Sequence, residues 1–451
     1  MYVIGNIIFN HMTEKIYPIL PKEVVVKSID DKYLFLIPSK PDWVVVNNNC
    51  AYLLSLCDGT KSIQEIVSHV SNMHPGYKEA EILLMRLYES GFFDSNTENK
   101  VVNNALKGDL KSVHLNISEN CNLSCKYCYA NNREKKGNGL SLDEYKTLID
   151  SLEFISPHLM IALTGGEPLL NPDFYSIAEY AKRKGHYIYL LTNGSLIDES
   201  NCKIIKSVVD EVRISIDGYY PETHDALRGF GTYKKAINAI ELLGKEGVNI
   251  RIAMTVTSLN LNEIELMSNL YGGQLIYQPL FNAGGAKDHV NISINGLEYY
   301  EALNKAKNVN PLAGLGSAVN KLRGKGTRRC AIAKEEISIS FNGDVYPCHM
   351  LHLDEFYCGN IRGTSIDEIY YSSQVLCEIR NQSIYTYAGC DVCPIRLLCG
   401  GACRARTYYM TGSLINQDDF CEYELMAYTD GLIKCASFGH NHDSCMQCRE
   451  C

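Results

Sequence analysis

The chain has 451 residues, 46% of them hydrophobic and 21% charged, with a formal net charge of −9. That length suits two or three domains rather than one. The acidic balance argues against a nucleic-acid partner, and no apolar run of about 18 residues is present to span a membrane. The 19 cysteines are mostly grouped, and Met1 to Asn10 lacks the basic region and cleavage site of a signal peptide. Grouped thiols in such a chain point to metal binding in a reducing cytoplasm rather than to disulfides.

Residues 20–95 read as one compact unit. Glu23–Lys27, Tyr33–Ile37 and Trp43–Val46 are short β-branched and aromatic runs, hence strands. Asn48 is placed to cap a helix carrying Ala51, Leu53, Leu54 and Leu56, and Asp58-Gly59-Thr60 breaks it. Ser62 and Glu65 form a capping-box pattern for a second helix. A third runs from Lys78 to Ser90, with Ile82, Leu83, Leu84 and Leu87 near one face. Residues 96–109 are polar and breaker-rich, a linker. Cys50, Cys57 and Cys202 sit in apolar patterns as small buried hydrophobes.

The run Val113–Ile117 alternates as a strand, and Cys121-Asn-Leu-Ser-Cys125-Lys-Tyr-Cys128 follows it. Three thiolates at C-x₃-C-x₂-C spacing suit three irons of a [4Fe–4S] cube, leaving the fourth iron for a small molecule. The alternative is a zinc knot, which prefers four ligands in two pairs. Five helix–strand pairs then alternate, ending with the strands 159–163, 187–191, 211–216, 249–256 and 274–278. Such alternation predicts a parallel sheet with helices outside. Ligands gather at the C-terminal strand ends in these sheets, and Thr164-Gly-Gly-Glu-Pro168, Thr192-Asn-Gly194 and Ser215-Ile-Asp-Gly218 lie there. Paired glycines let backbone approach a ligand closely, and Arg228 can fork onto a carboxylate.

The cysteine spacing, with Tyr127 before the last thiol, resembles the signature of the radical S-adenosylmethionine (SAM) enzymes. That resemblance implies an α/β fold with a partial (β/α)₆ TIM barrel over residues 110–320. Cys121, Cys125 and Cys128 would hold the SAM-binding cluster. Tyr127, Gly165, Gly166, Glu167, Asn193, Ser215 and Arg228 would contact SAM: Glu167 its amino group, Ser215 its ribose and Arg228 its carboxylate. The resemblance further implies that one electron from the cluster splits SAM to a 5′-deoxyadenosyl radical, which takes hydrogen from an unactivated carbon. A reductant such as flavodoxin or ferredoxin would supply the electron. No catalytic residue is assigned beyond the cluster, and no general base is identified.

Residues 326–430 hold a second cysteine-rich region. Strand Ile337–Phe341 with Asn342-Gly343-Asp344 reads as a hairpin that swings Cys348 back towards Cys330. The spacing of Cys330, Cys348, Cys390, Cys393, Cys399, Cys403 and Cys421 resembles the SPASM extension of radical SAM enzymes. It implies two auxiliary [4Fe–4S] clusters, three in all. Cys390, Cys393, Cys399 and Cys421 would hold the outer one, and Cys330, Cys348 and Cys403 the inner one. The extra cysteine that the fully ligated pattern has before Cys330 is missing between Lys321 and Arg329. The inner cluster therefore either keeps an open iron for a substrate thiolate or is completed by Cys358 or Cys377. In the tail, residues 431–451, Cys435, Cys445, Cys448 and Cys451 with His440 and His442 read as a mobile end or a further metal site.

The N-terminal unit, three strands and three helices with Asp58-Gly59 between, resembles the winged-helix-like leader-recognition domain of peptide-modifying enzymes. It is similar to the peptide chaperone of pyrroloquinoline-quinone biosynthesis, which implies that a leader adds as an extra strand. An oligomerisation or nucleic-acid module is the alternative. Together the resemblances describe a cytoplasmic maturase of a ribosomal precursor peptide, of the sactipeptide or ranthipeptide type, joining cysteine sulfur to carbon as a thioether. Carbon–carbon crosslinking, epimerisation, formylglycine formation and a non-catalytic iron–sulfur peptide carrier are the alternatives.

Overall fold

The computed structural model describes residues 15–40, 42–73, 80–93, 110–130, 138–306 and 330–437. The expected linker and the tail beyond 437 lie outside them, as do Lys78 and the stretch 321–329. The described residues fall into two compact units.

The smaller unit holds the residues up to 93, together with 393–398 and 428–437. Strands β1 (Val25–Ile29), β2 (Lys32–Ile37) and β3 (Asp42–Asn47) form an antiparallel meander in the order β1-β2-β3. Helices α1 (Asn48–Ser55), α2 (Ile63–Met73) and α3 (Ala80–Glu89) follow. Phe35, Ile37, Val44 and Val46 alternate along β2 and β3 and close one core with Leu53, Leu54, Ile66, Leu84 and Leu87. The α1 cap is Asn47, one residue before the expected position; its side chain accepts the Cys50 N–H. The second capping box forms as expected, with Ser62 N–H donating to Glu65 and Glu65 N–H to Ser62 Oγ. On this unit's first strand, Lys27 Nζ donates to Asp430 Oδ1 at 2.7 Å and to Thr429 Oγ1 at 2.8 Å.

The larger unit is built on a nine-stranded sheet ordered β12-β11-β10-β4-β5-β6-β7-β8-β9. Its six central-to-edge strands are β4 (Ser112–Ser118), β5 (Met160–Gly165), β6 (Tyr187–Thr192), β7 (Glu211–Ser215), β8 (Ile250–Val256) and β9 (Leu275–Pro279). All neighbours in this run are parallel, with helices α4 (Leu142–Ile155), α5 (Phe174–Arg183), α6 (Cys202–Val208), α7 (Pro221–Arg228), α8 (Thr232–Lys245) and α9 (Ile264–Tyr271) between them. The six expected β/α repeats are present, shifted by one or two residues for most strands and by up to four at the start of α6. Val113, Leu115 and Ile117 are at most 1% exposed, so β4 turns His114, Asn116 and Ser118 to the opposite face.

The expected hairpin is β10 (Glu336–Ile339) and β11 (Asp344–Tyr346), antiparallel as predicted. Its placement was not legible: β10 adds in parallel to β4, Ile337 opposite Val113, and β12 (Gly359–Asn360) extends the sheet. The six-stranded sheet is thus lengthened by three strands on the open edge of its first strand. No described helix is long and apolar enough to cross a membrane.

Candidate active site

The cysteine loop leaves the C-terminal end of β4, and three neighbouring strand ends hold it. Gly166 N–H donates to Ser118 O at 2.7 Å, and Glu167 N–H to Asn120 O at 2.8 Å. A Cβ on Gly165 would lie 2.2 Å from Ser118 O, and one on Gly166 2.3 Å from Asn120 O. Besides the ligand approach expected of them, these glycines make room for the backbone that carries the cysteines. Asn193, after β6, donates through Nδ2 to Asn122 Oδ1 at 3.0 Å, and Asn122 Nδ2 donates to Ser195 Oγ at 2.8 Å. Asn193 is thereby bonded to the cysteine loop itself.

A third support was missed in the sequence. Gly285 N–H donates to Cys128 O at 2.9 Å. Gly284 has φ +55° and would set a Cβ 2.5 Å from the Cys128 and Tyr129 carbonyls. The available signal was a second glycine pair, Gly284-Gly285, shortly after the last barrel strand.

Glu167 is fully buried and accepts three hydrogen bonds. Oε1 accepts from Thr192 Oγ1 at 2.8 Å and Leu169 N–H at 3.3 Å, and Oε2 from Asn193 N–H at 3.0 Å. Burial raises its pKa, and these three donors oppose that rise. Arg228, at the end of α7, is bonded through Nε to Asp217 Oδ2, and Tyr127 O–H donates to the same oxygen. The guanidinium also lies 5.5 Å from the Tyr127 ring centre. Asp217 is itself buried, with Oδ1 accepting Thr255 N–H at 2.8 Å and its own N–H donating to His224 Nδ1 at 3.2 Å. Arg228 is thus fixed by a carboxylate that sequence reasoning passed over, although Asp217 stood inside a quoted motif. Ser215 ends β7, half-buried.

Whether three thiols fit one cluster is tested by their mutual influence. Cys125 feels the charges of Cys121 and Cys128, and Cys121 that of Cys128, so the three share one locality. Burial pushes Cys125 up to about 11, with Arg228 pulling the other way, and Cys121 is raised too. Metal-free, Cys121 and Cys125 stay protonated near neutrality; a bound metal is what converts such thiols to thiolates. Leu123 N–H donates to Cys121, a bond suited to a thiolate acceptor. The donor set fits an iron–sulfur group.

The inner set converges as well. Cys348 feels the charges of Cys330 and Cys403, and Cys403 that of Cys330. Burial drives Cys348 far up and Cys403 to about 11. Cys403 Sγ accepts Arg406 N–H at 3.5 Å. The following helix, Arg404–Thr411, is anchored by Asp418, which takes Arg406 Nε at 2.8 Å, Thr407 Oγ1 at 3.0 Å and Phe420 N–H at 2.8 Å. Of the two candidates for a fourth ligand, Cys358 Sγ donates to Phe356 O at 3.3 Å and Cys377 Sγ to Tyr371 O at 3.5 Å. Cys358 also bonds the Ser373 side chain. Of the expected outer ligands, Cys390, Cys399 and Cys421 lie in the larger unit and Cys393 in the smaller. Ala402 N–H donates to Cys399 Sγ at 3.1 Å.

Comparison with known proteins agrees with this geometry. The radical SAM superfamily profile matches residues 115–270, and that of the SPASM iron–sulfur cluster-binding domain matches 330–394. The chain is 31% identical over 348 residues to the AdoMet-dependent heme synthase of Nitratidesulfovibrio vulgaris, covering 70% of this chain and 92% of that protein. It is 28% identical over 295 residues to the subtilosin biosynthesis protein AlbA of Bacillus subtilis, covering 63% and 65%. In fold it is similar to Streptococcus suis SuiB bound to its precursor peptide SuiA, with TM-score 0.58 at 15% identity over 90% of this chain and all of that one. Three thiols at the mouth of a parallel sheet, the matching profiles and a relative covered almost end to end lead to one conclusion: the chain belongs to the radical SAM superfamily and carries a SPASM iron–sulfur cluster-binding domain.

Proposed function

We propose that the protein is a maturase of a ribosomally made precursor peptide, held through its leader by the winged-helix-like smaller unit and modified in the larger one by thioether formation. The observation that carries this reading is the meander β1-β2-β3, whose outer strands are each paired on one side within the sheet. A sheet edge of that kind takes an extended peptide as a further strand. The heme synthase match takes in 92% of that relative but 70% of this chain. The SuiB likeness takes in 90% of this chain, and that protein was solved with a precursor peptide.

Cys121, Cys125 and Cys128 hold the SAM-binding cluster, which when bound supplies one-electron cleavage of SAM and so a radical able to take hydrogen from an unactivated carbon. Glu167 and Asn193 brace the loop that carries it, Arg228 is aimed by Asp217, and Ser215 meets the ribose. Cys330, Cys348 and Cys403 hold an inner cluster with one position left for the substrate thiolate. Cys390, Cys393, Cys399 and Cys421 hold an outer one. Per crosslink the peptide would lose a hydrogen atom from carbon to the 5′-deoxyadenosyl radical, a proton from sulfur to solvent and one electron to the inner cluster, two hydrogens in net mass.

Anaerobic reconstitution with a reductant, SAM and the precursor peptide tests this. The expected result is 5′-deoxyadenosine together with a peptide lighter by two hydrogens per crosslink. The 31% identity to a heme synthase favours a second reading, action on a porphyrin precursor of heme. An unchanged peptide alongside conversion of such a precursor to heme would establish that reading and reject ours.

A further inference from the structure

Beside Cys348, on the inward face of the sheet, lies a group of side chains with no role in the account above. His349 Nδ1 is 3.8 Å from Cys348 Sγ and 3.0 Å from Glu336 Oε1. Glu336 opens β10. His114 of β4 stacks on His349, ring centres 4.3 Å apart and planes 15° apart, and its Nε2 is 3.8 Å from Glu336 Oε2. Tyr129, the residue after Cys128, meets the His349 ring edge-on at 6.3 Å. The strands that bring these groups together are the β10–β4 pair, in register with Ser338 opposite His114.

Two histidines and a carboxylate suggest a mononuclear metal. The stacking argues against it: imidazole lone pairs lie in the ring plane, so two nearly parallel rings aim them side by side rather than at one point. The hydrogen-bond chemistry favours another role. A metal-bound Cys348 thiolate and an ionised Glu336 both accept only, and both lie next to the same nitrogen. Nδ1 therefore carries the proton and is shared between them, with Glu336 orienting the ring. Carboxylate–histidine pairs behind a metal ligand hold it in place and tune the metal, typically at a cost of 10–100-fold in affinity when lost. Hydrogen bonds to cluster sulfurs set reduction potential.

We propose that His349 and Glu336 are positioning residues of the inner iron–sulfur site: His349 donates a hydrogen bond to the Cys348 sulfur, Glu336 orients it, and together they set the reduction potential of that site. The inference rests on Cys330, Cys348 and Cys403 holding one cluster.

The test is an EPR-monitored redox titration of the full, anaerobically reconstituted chain, with iron and sulfide counted for each variant. The inner signal is the one lost in Cys348→Ser. His349→Phe removes the donor and is expected to lower the inner midpoint potential and to speed iron loss to a chelator by roughly 10–100-fold. His349→Asn, which keeps an N–H near the Nδ1 position, restores both. Glu336→Gln removes a negative charge and is expected to raise the potential. Opposite shifts at full iron content are not produced by a merely structural role. Shifts of the same sign, or none, at full iron content overturn the proposal. So does one equivalent of zinc or ferrous ion, beyond the cluster iron, that disappears in His114→Ala. If Cys348→Ser changes neither iron, sulfide nor spectrum, the underlying cluster reading fails instead.

Discussion

Two groups of three thiols serve one larger unit, and they are built in opposite ways. Cys121, Cys125 and Cys128 lie within one short loop, held from outside by the backbone of the Gly165–Gly166 and Gly284–Gly285 turns and by the Asn193 side chain. Cys330 and Cys348 flank one hairpin and Cys403 comes from a segment further along the chain; the buried Arg406–Asp418 pair braces the helix after Cys403, and the Glu336–His349 hydrogen bond lies within the hairpin. A contiguous loop needs close neighbours to fix its shape. A dispersed site needs each of its pieces braced separately.

The comparison predicts different failures, beginning with the largest. Cys125→Ala is expected to abolish 5′-deoxyadenosine formation altogether. Cys403→Ala should leave that formation within several-fold of wild type while stopping peptide modification; chromatographic assay of both products separates the two sites. Next, Asp418→Ala leaves the buried Arg406 guanidinium with only Glu424, 3.6 Å away, and should cost up to roughly 3–5 kcal/mol, read by denaturant unfolding. Its damage should fall on the dispersed site, as iron lost with the Cys403 signal.

The third effect depends on pH. Burial holds His224 down to about 4, from an ordinary value of 6.5, and its unprotonated Nδ1 accepts the Asp217 N–H. Between these two values the unfolded chain binds the extra proton and the folded chain does not, so stability rises with pH there. Its contribution is complete above about 6.5 and is lost as pH falls towards 4. The loss is about 3 kcal/mol at most, at about 1.4 kcal/mol per pH unit. Melting temperature measured from pH 7 to pH 4 should fall less steeply in His224→Gln. The last effect belongs to Gly284→Ala, at least about 1–3 kcal/mol for a side chain at positive φ, with its Cβ also meeting the Cys128 and Tyr129 carbonyls at 2.5 Å. Calorimetry and iron content should show it weakening the contiguous site while sparing the dispersed one.

The same contrast governs what could be read in advance. The first triad was legible because its ligands, its strand and its neighbours' motifs are local patterns. The β/α alternation was legible for the same reason, to within a few residues at most strand and helix ends. Gly165 and Gly166 were found, but not their closeness to Ser118 and Asn120, since a glycine requirement does not say which backbone approaches it. Gly284-Gly285 was overlooked because nothing near it in sequence bears on cysteine. Asp217 was passed over as part of a ribose motif, though it is the group that fixes Arg228. The β10–β4 pairing joins residues more than two hundred positions apart, beyond any local signal.

That pairing has a consequence for biogenesis. While the chain emerges from the ribosome, the outer flank of β4 stays without its β10 neighbour until residues 336–339 have been made. An unpaired strand flank invites association with other chains, and contacts so distant along the sequence form late. Iron delivered to the nascent Cys121–Cys128 loop would therefore meet a half-finished platform, so faithful assembly favours metal insertion after translation has ended.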